Sequence, residues 1–194
     1  MTSRIALLGE QLADAFETKG VPIRQTLRPG ASRDHVIGVA AALGIELPEE
    51  VVDLYEWHNG VLDTVADGDS LVFRDNTFIS VDAASAEYAS IQKYYGVHST
   101  IESDRVDLKA CFPIARFEGS WYVVACGGHL HGQAMQHPVI SVFQGVDLFF
   151  YSVENMLRTC ISWVSHPAWA QHAGVPQDVE MELWRKHNAD IFSA

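Results

Sequence analysis

Apolar residues first recur at helical spacing as Ile5, Leu8, Leu12 and Phe16, ahead of Gly20. That single stripe predicts a helix that docks on a core by one side. Pro22 and the run RPGAS (28–32) break the pattern. Ser32 is then placed to cap a second helix carrying Val36, Ile37, Ala40 and Leu43 and stopped by Gly44. The stretch GIELPEEVVDLYEWHNG (44–60) predicts a third, short helix. Pro48 suits its first turn, where a missing N–H has no partner to lose. Glu49 and Glu50 lie at the positive end of the helix dipole. Val51, Leu54, Tyr55 and His58 share one face, and Asn59-Gly60 supply residues tolerant of positive φ just past the end. Trp57 points off that stripe and is a candidate binding residue.

Short strand candidates follow at 71–73 and 77–80, and then Ala84, Tyr88, Ile91 and Tyr95 mark a helix ending at Gly96. Beyond a polar link, residues 111–117 pair with 121–126 across Glu118-Gly119-Ser120, and 139–143 pair with 148–151 across Gln144-Gly145, predicting two hairpins. Ser152 caps a strongly amphipathic helix whose buried face is Val153, Met156, Leu157, Cys160, Ile161 and Val164, with Pro167 beyond its end. A last, more charged helix over 176–188 carries Val179, Leu183 and Trp184. Helices first, strands grouped later and a helix to close predict a single α+β domain. Its sheet is mostly antiparallel, of about five or six strands, with helices packed on one side.

Length and composition sharpen this outline. The chain has 194 residues, 48% of them hydrophobic, enough for an independent core. It has no apolar run long enough to span a bilayer, and acidic residues punctuate its first twenty positions, so the expected location is the cytoplasm, without membrane attachment. Three cysteines, Cys111, Cys126 and Cys160, suit a reducing compartment better than a disulfide framework. Thirteen Lys and Arg against 25 Asp and Glu give a formal charge of −12. That field repels nucleic acid and anionic membranes and attracts a basic protein partner.

Catalytic signatures are sparse. The chain lacks the Gly-rich phosphate loops, the His-Glu-x-x-His zinc helix and the Gly-x-Ser-x-Gly nucleophile turn. One cluster, CGGHLHGQAMQH, offers Cys126, His129, His131 and His137 as zinc-type ligands, although their spacing follows no standard pattern and nine histidines produce such groupings by chance. Cys111 and Cys160 read as small hydrophobes. Asp63, Asp67 and Asp69 form an acidic turn that lacks the rest of a calcium loop, and with Trp57 they are the candidate contact residues. No catalytic residue and no cofactor is assigned.

Five segments in order carry a resemblance: LRPGAS (27–32), GIELPEEVVDLYEWHNG (44–60), CFPIARFEGSWYVVAC (111–126), HPVISVF (137–143) and YSVENMLRTCISWV (151–164). Together they resemble the SUKH superfamily, which unites bacterial immunity proteins with a fungal regulator of cell-wall synthesis. The turn Phe117-Glu118-Gly119-Ser120 departs from the Asp-containing turn of many relatives, and the histidine-rich loop has no counterpart there. The resemblance implies an α+β domain over 27–166, with helical extensions at 1–26 and 167–194. It implies structural roles for Leu47, Pro48, Asn59 and Gly60, and a non-catalytic protein that binds and neutralises a toxin, often a nuclease. A cytoplasmic regulatory adaptor like the cell-wall branch is the alternative, and a metal-dependent enzyme built on the Cys126–His137 cluster a distant third.

Overall fold

The computed structural model describes residues 2–65, 71–95, 107–127, 129–130, 133–134, 137–171 and 173–189; at 71, 129, 130, 133 and 134 it describes the backbone only. Helices α1 (Arg4–Thr18), α2 (Arg33–Ala42) and α3 (Glu49–Trp57) come first, with strand β1 (Leu27–Pro29) between α1 and α2. Strands β2 (His58–Val61), β3 (Leu71–Phe73) and β4 (Asn76–Phe78) lead to α4 (Val81–Tyr95). Then come β5 (Cys111–Phe117), β6 (Ser120–Ala125), the two-residue strands β7 (His129–Leu130) and β8 (Gln133–Ala134), β9 (Val139–Val142) and β10 (Val146–Phe150). Helices α5 (Val153–Ser165) and α6 (Gln177–His187) close the chain.

The main sheet has six strands in the order β10-β9-β6-β5-β4-β3, every neighbouring pair antiparallel. This is the α+β class and the antiparallel sheet that the order of helices and strands along the chain predicts. The β5–β6 turn places Glu118 at φ 42° and Gly119 at φ 83°, the double positive φ that a tight hairpin needs to match strand twist. Along β6 successive residues serve opposite faces. Tyr122 and Val124 join the larger core with α1, α3 and α5, while Trp121, Val123 and Ala125 join a smaller cluster with Ile91 of α4 and Leu108. So α4 starts in the main core at Val81 and Ala84 and carries its second half across the other face of the sheet. Glu87 fastens it there, accepting from Trp121 Nε1 and Arg116 Nη1, each at 2.7 Å.

Helices α1 and α5 run parallel. Arg4 pairs with Glu154 near their starts at 2.8 Å, and Lys19 donates to the His166 carbonyl beyond their ends at 2.8 Å. Both helices begin with a serine cap, Ser3 accepting from Ala6 N and Ser152 from Asn155 N, which satisfies amides that have no partner inside the helix. Ile5, Leu8, Leu12, Ala13 and Phe16 of α1 and Met156, Leu157 and Cys160 of α5 lie in one continuous core with the sheet. Helix α5 buries the expected stripe except Ile161, which is half-buried, and also buries Thr159 and Trp163, because α6 covers that flank. The link is polar: Asn188, 1% exposed, accepts from Tyr151 N at 3.0 Å and donates to Thr159 Oγ1 at 3.1 Å.

Candidate functional site

The segment 44–60 is a junction. Pro48 stands at the N-cap of α3, one position ahead of the helix, and its carbonyl receives the amides of Val51 and Val52. Leu47 packs against the core. At the other end the chain leaves the helix sooner than the apolar pattern predicts. His58 is already extended and begins β2, with Nδ1 at 2.5 Å from the Arg28 carbonyl. Asn59 Oδ1 accepts from Val81 N at 2.8 Å, at the start of α4. Gly60 has φ 77°, and a Cβ there would stand 2.4 Å from Ser80 N, so the strand can pass its neighbour only as glycine.

Trp57 is placed differently from its sequence expectation. Off the stripe of α3 it meets α1 rather than solvent: it is 9% exposed, its ring lies against Gly9, and Nε1 donates to Glu10 Oε1 at 2.7 Å. The helical pattern of α3 locates the side of the ring but says nothing of a second helix arriving there. Asp63 is 92% exposed and held by Arg28 Nη2 at 2.5 Å, which keeps its carboxyl below the usual range. Asp67 and Asp69 lie outside the described residues.

Of the Cys-His grouping, His131 and the side chain of His129 also lie outside the described residues. Cys126 is half-buried and burial pushes its thiol up to about 12, so it carries little thiolate at neutral pH. His137 turns Nδ1 toward the Ala125 carbonyl at 3.3 Å. Among the described residues no group of three or more His, Cys, Asp or Glu side chains is arranged to hold a metal ion. Nor is any helix there long and apolar enough to cross a membrane.

What the structure does gather is charge. Arg24 collects Glu10, Asp14 and Glu17 of α1, at 2.8, 2.8 and 2.6 Å. Arg33 reaches Glu49 and Glu56 of α3. The Trp57–Glu10 bond joins the two clusters. Five carboxylates meet two guanidinium groups, so the α1–α3 surface keeps a formal −3 while each carboxylate is held in place by a cation. Hydrogen bonds from Arg24 and Trp57 hold the Glu10 carboxyl below its usual range. Spacing of the acids along α1 hints at this surface; the partners Arg24 and Arg33 stand outside the helices they clamp and leave no periodic trace.

A family model for the SMI1 / KNR4 family (SUKH-1) matches residues 30–153, from the end of β1 to the first residue of α5. The chain belongs to that family. No curated protein matches the chain. The matched span holds the Leu47–Gly60 junction and the whole main sheet, but α1, α6 and nearly all of α5 fall outside it. The Arg24 cluster therefore lies outside the family's span and the Arg33 cluster within it.

A cavity of about 290 Å³ opens where those outer elements meet the β3–β4 hairpin. Phe16 of α1 and Val21 beyond it, Trp163 and Val164 of α5, and Trp169 and Val175 of the connection to α6 form its apolar walls. Its charged groups are Arg74, Asp75 and Glu180, and Gln171 adds a neutral amide. Arg74 sits in the hairpin turn at φ 58°, a left-handed conformation that costs a non-glycine residue about 1 kcal/mol. Its Nε bonds Glu180 Oε1 and lies 3.4 Å from Asp75 Oδ2, while the guanidinium rests over the Phe149 and Trp163 rings at 5.7 and 6.0 Å. The strained turn is thus kept by an ion pair and two aromatic faces. Sequence reading leaves Arg74 and Asp75 unmarked between two strand candidates, since the partner Glu180 lies more than a hundred residues away.

Proposed function

We propose that the protein is an immunity-type binding protein, acting in the cytoplasm without catalysis, that neutralises a toxin carrying a basic domain such as a nuclease by covering its working surface. Family membership supports a binding protein of the immunity or regulatory kind. The observation that carries the toxin reading is the α1–α3 surface, where Arg24 and Arg33 hold five carboxylates in fixed positions within a chain of formal charge −12. Carboxylates already ordered lose less side-chain entropy when a cationic partner arrives. The overall field accelerates encounter, and contacts made afterwards set the lifetime of the complex.

The test is association with the toxin-like product of the adjacent gene, measured from low to high salt, beside a Glu17→Gln/Glu49→Gln/Glu56→Gln triple variant. The expected result is relief of toxicity on co-expression and an on-rate that falls steeply with salt. The triple variant should associate about tenfold more slowly at low salt. Binding indifferent to both salt and the triple substitution would overturn the electrostatic reading. Failure to relieve any adjacent toxin, with recovery of a cell-wall synthesis enzyme from the host, would assign the chain to the regulatory branch instead.

A further inference from the structure

The cavity between α1, α5 and the β3–β4 hairpin is assigned no ligand by family membership, because of its lining only Val72, Arg74 and Asp75 fall within residues 30–153. Its shape and charge nonetheless select a ligand chemistry. The apolar walls suit an aliphatic stem, and Trp169, only partly buried, adds its indole ring to the lining. The polar end carries two carboxylates, Asp75 and Glu180, and one guanidinium already engaged with both, a formal −1 for the lining. The last turns of the parallel helices α1 and α5 also border it, and helix C-termini carry partial negative charge. Two features oppose these. The N-terminus of α6 is positive, but its first turn contains Asp178 and Glu180; Lys19 keeps its positive charge, but it lies outside the cavity lining with its ammonium turned to the His166 carbonyl. An anion would have to displace a carboxylate from Arg74, whereas a cation can approach the carboxylate of Asp75, whose side chain is 64% exposed and whose Oδ2 lies 3.4 Å from Arg74 Nε.

We propose that this cavity binds a primary amine or guanidine borne on an aliphatic stem, with the stem between Val21, Val164, Val175 and Trp169 and the cation at Asp75 and Glu180. The inference does not depend on the immunity reading, and its test contains no toxin, so either can fail alone.

Indole N–H signals of the full-length protein are followed by NMR during titration with n-hexylamine, agmatine and hexanoate. The expected result is saturable shifts at Trp169 and Trp163 with the two cations, none at Trp57 or Trp121, and no saturable shift with hexanoate. Asp75→Asn, an exposed substitution whose folding is checked by circular dichroism, should weaken the amine about fivefold. A capped Gly-Lys-Gly peptide then distinguishes sources. If it competes with hexylamine, the natural occupant is a side chain of a protein; if the free amine binds and the peptide does not, it is a small molecule. Equal or tighter binding of hexanoate, silence of Trp169 with every probe, or undiminished amine binding by folded Asp75→Asn would overturn the proposal.

Discussion

Gly9 and Gly38 are both helical glycines, and the structure assigns opposite signs to the same substitution at the two positions. Replacing a mid-helix glycine by alanine gains about 1 kcal/mol of helix propensity where nothing opposes it. At Gly38 of α2 a new Cβ meets nothing within 4 Å, so Gly38→Ala should stabilise by about 0.5–1 kcal/mol. At Gly9 the new atom would stand 2.5 Å from Trp57 Cδ2, 2.6 Å from Cε2 and 2.9 Å from Cε3. The indole cannot easily yield, because Nε1 is bound to Glu10 and the ring meets His58 edge-on at 4.7 Å. Overpacking of this kind costs about 1–3 kcal/mol, and displacement of the ring adds the partly exposed Glu10 bond. After subtracting the propensity gain, Gly9→Ala should destabilise by about 1–2 kcal/mol. For a chain of this size each kcal/mol shifts Tm by about 2–4 °C, so the two variants should diverge on either side of wild type by several degrees. Thermal unfolding followed by circular dichroism and tryptophan fluorescence measures both. If Gly9→Ala raised Tm as Gly38→Ala does, α1 would not cover Trp57, and that tryptophan would return as an exposed contact residue.

Other groups give independent tests. Asn188→Ala removes the acceptor of Tyr151 N and the donor to Thr159 Oγ1 in a buried setting, so it should cost about 2–3 kcal/mol in urea unfolding and loosen α6, seen as faster amide exchange there. Glu10 has its folded pKa lowered by Arg24 and Trp57, so its contribution is present above the unfolded value of 4.5 and is lost as pH falls through the lower, folded value. Because the side chain is half exposed, Glu10→Gln should cost under about 1 kcal/mol at neutral pH, and that gap from wild type should close on acidification. Cys126 and Cys160 are pushed up to about 12 by burial, and Cys111 is raised by the same cause. Alkylation by iodoacetamide at pH 8 should therefore be slow in the folded protein and reach all three thiols only on unfolding; a fast-reacting native thiol would contradict the burial.

Elements whose pattern is local were legible in the sequence. The stripe of α5, its Ser152 cap and the two hairpin turns are set by residues within a few positions of one another, and the structure reproduces them with shifts of one or two residues. The end of α3 was less so. His58 continues the apolar stripe of that helix, but pairing of β2 with β1 and the bond to the Arg28 carbonyl draw it into extended conformation. Trp57 illustrates the same limit: helical periodicity tells which side of α3 it occupies, while the identity of that side as core depends on α1, which precedes it by some forty residues. The polar partners are the hardest to foresee. Arg24, Arg33 and Arg74 each lie in a turn or at a helix start, and what each one holds is fixed by the arrangement of other elements around it.

Those arginines also separate what the family span provides from what the ends of this chain add. The sheet, the Leu47–Gly60 junction and the Arg33 cluster all lie within residues 30–153, the span that the family model matches. Helix α1 then does two things at once. Its stripe extends the core along α5, and its three outer carboxylates, gathered by Arg24, add to the two that Arg33 holds on α3 and so more than double the ordered acidic surface. The buried contact between them, Trp57 against Gly9, makes the acidic surface and the stability of the fold depend on one another. A substitution that pushes α1 away, the expected effect of Gly9→Ala, should therefore slow partner association even though it changes no charge. The Gln triple variant should slow association with little loss of stability. The two variants together separate a surface that works by its placed charges from one that works by mere net charge: if displacing α1 leaves the on-rate unchanged, net charge alone suffices.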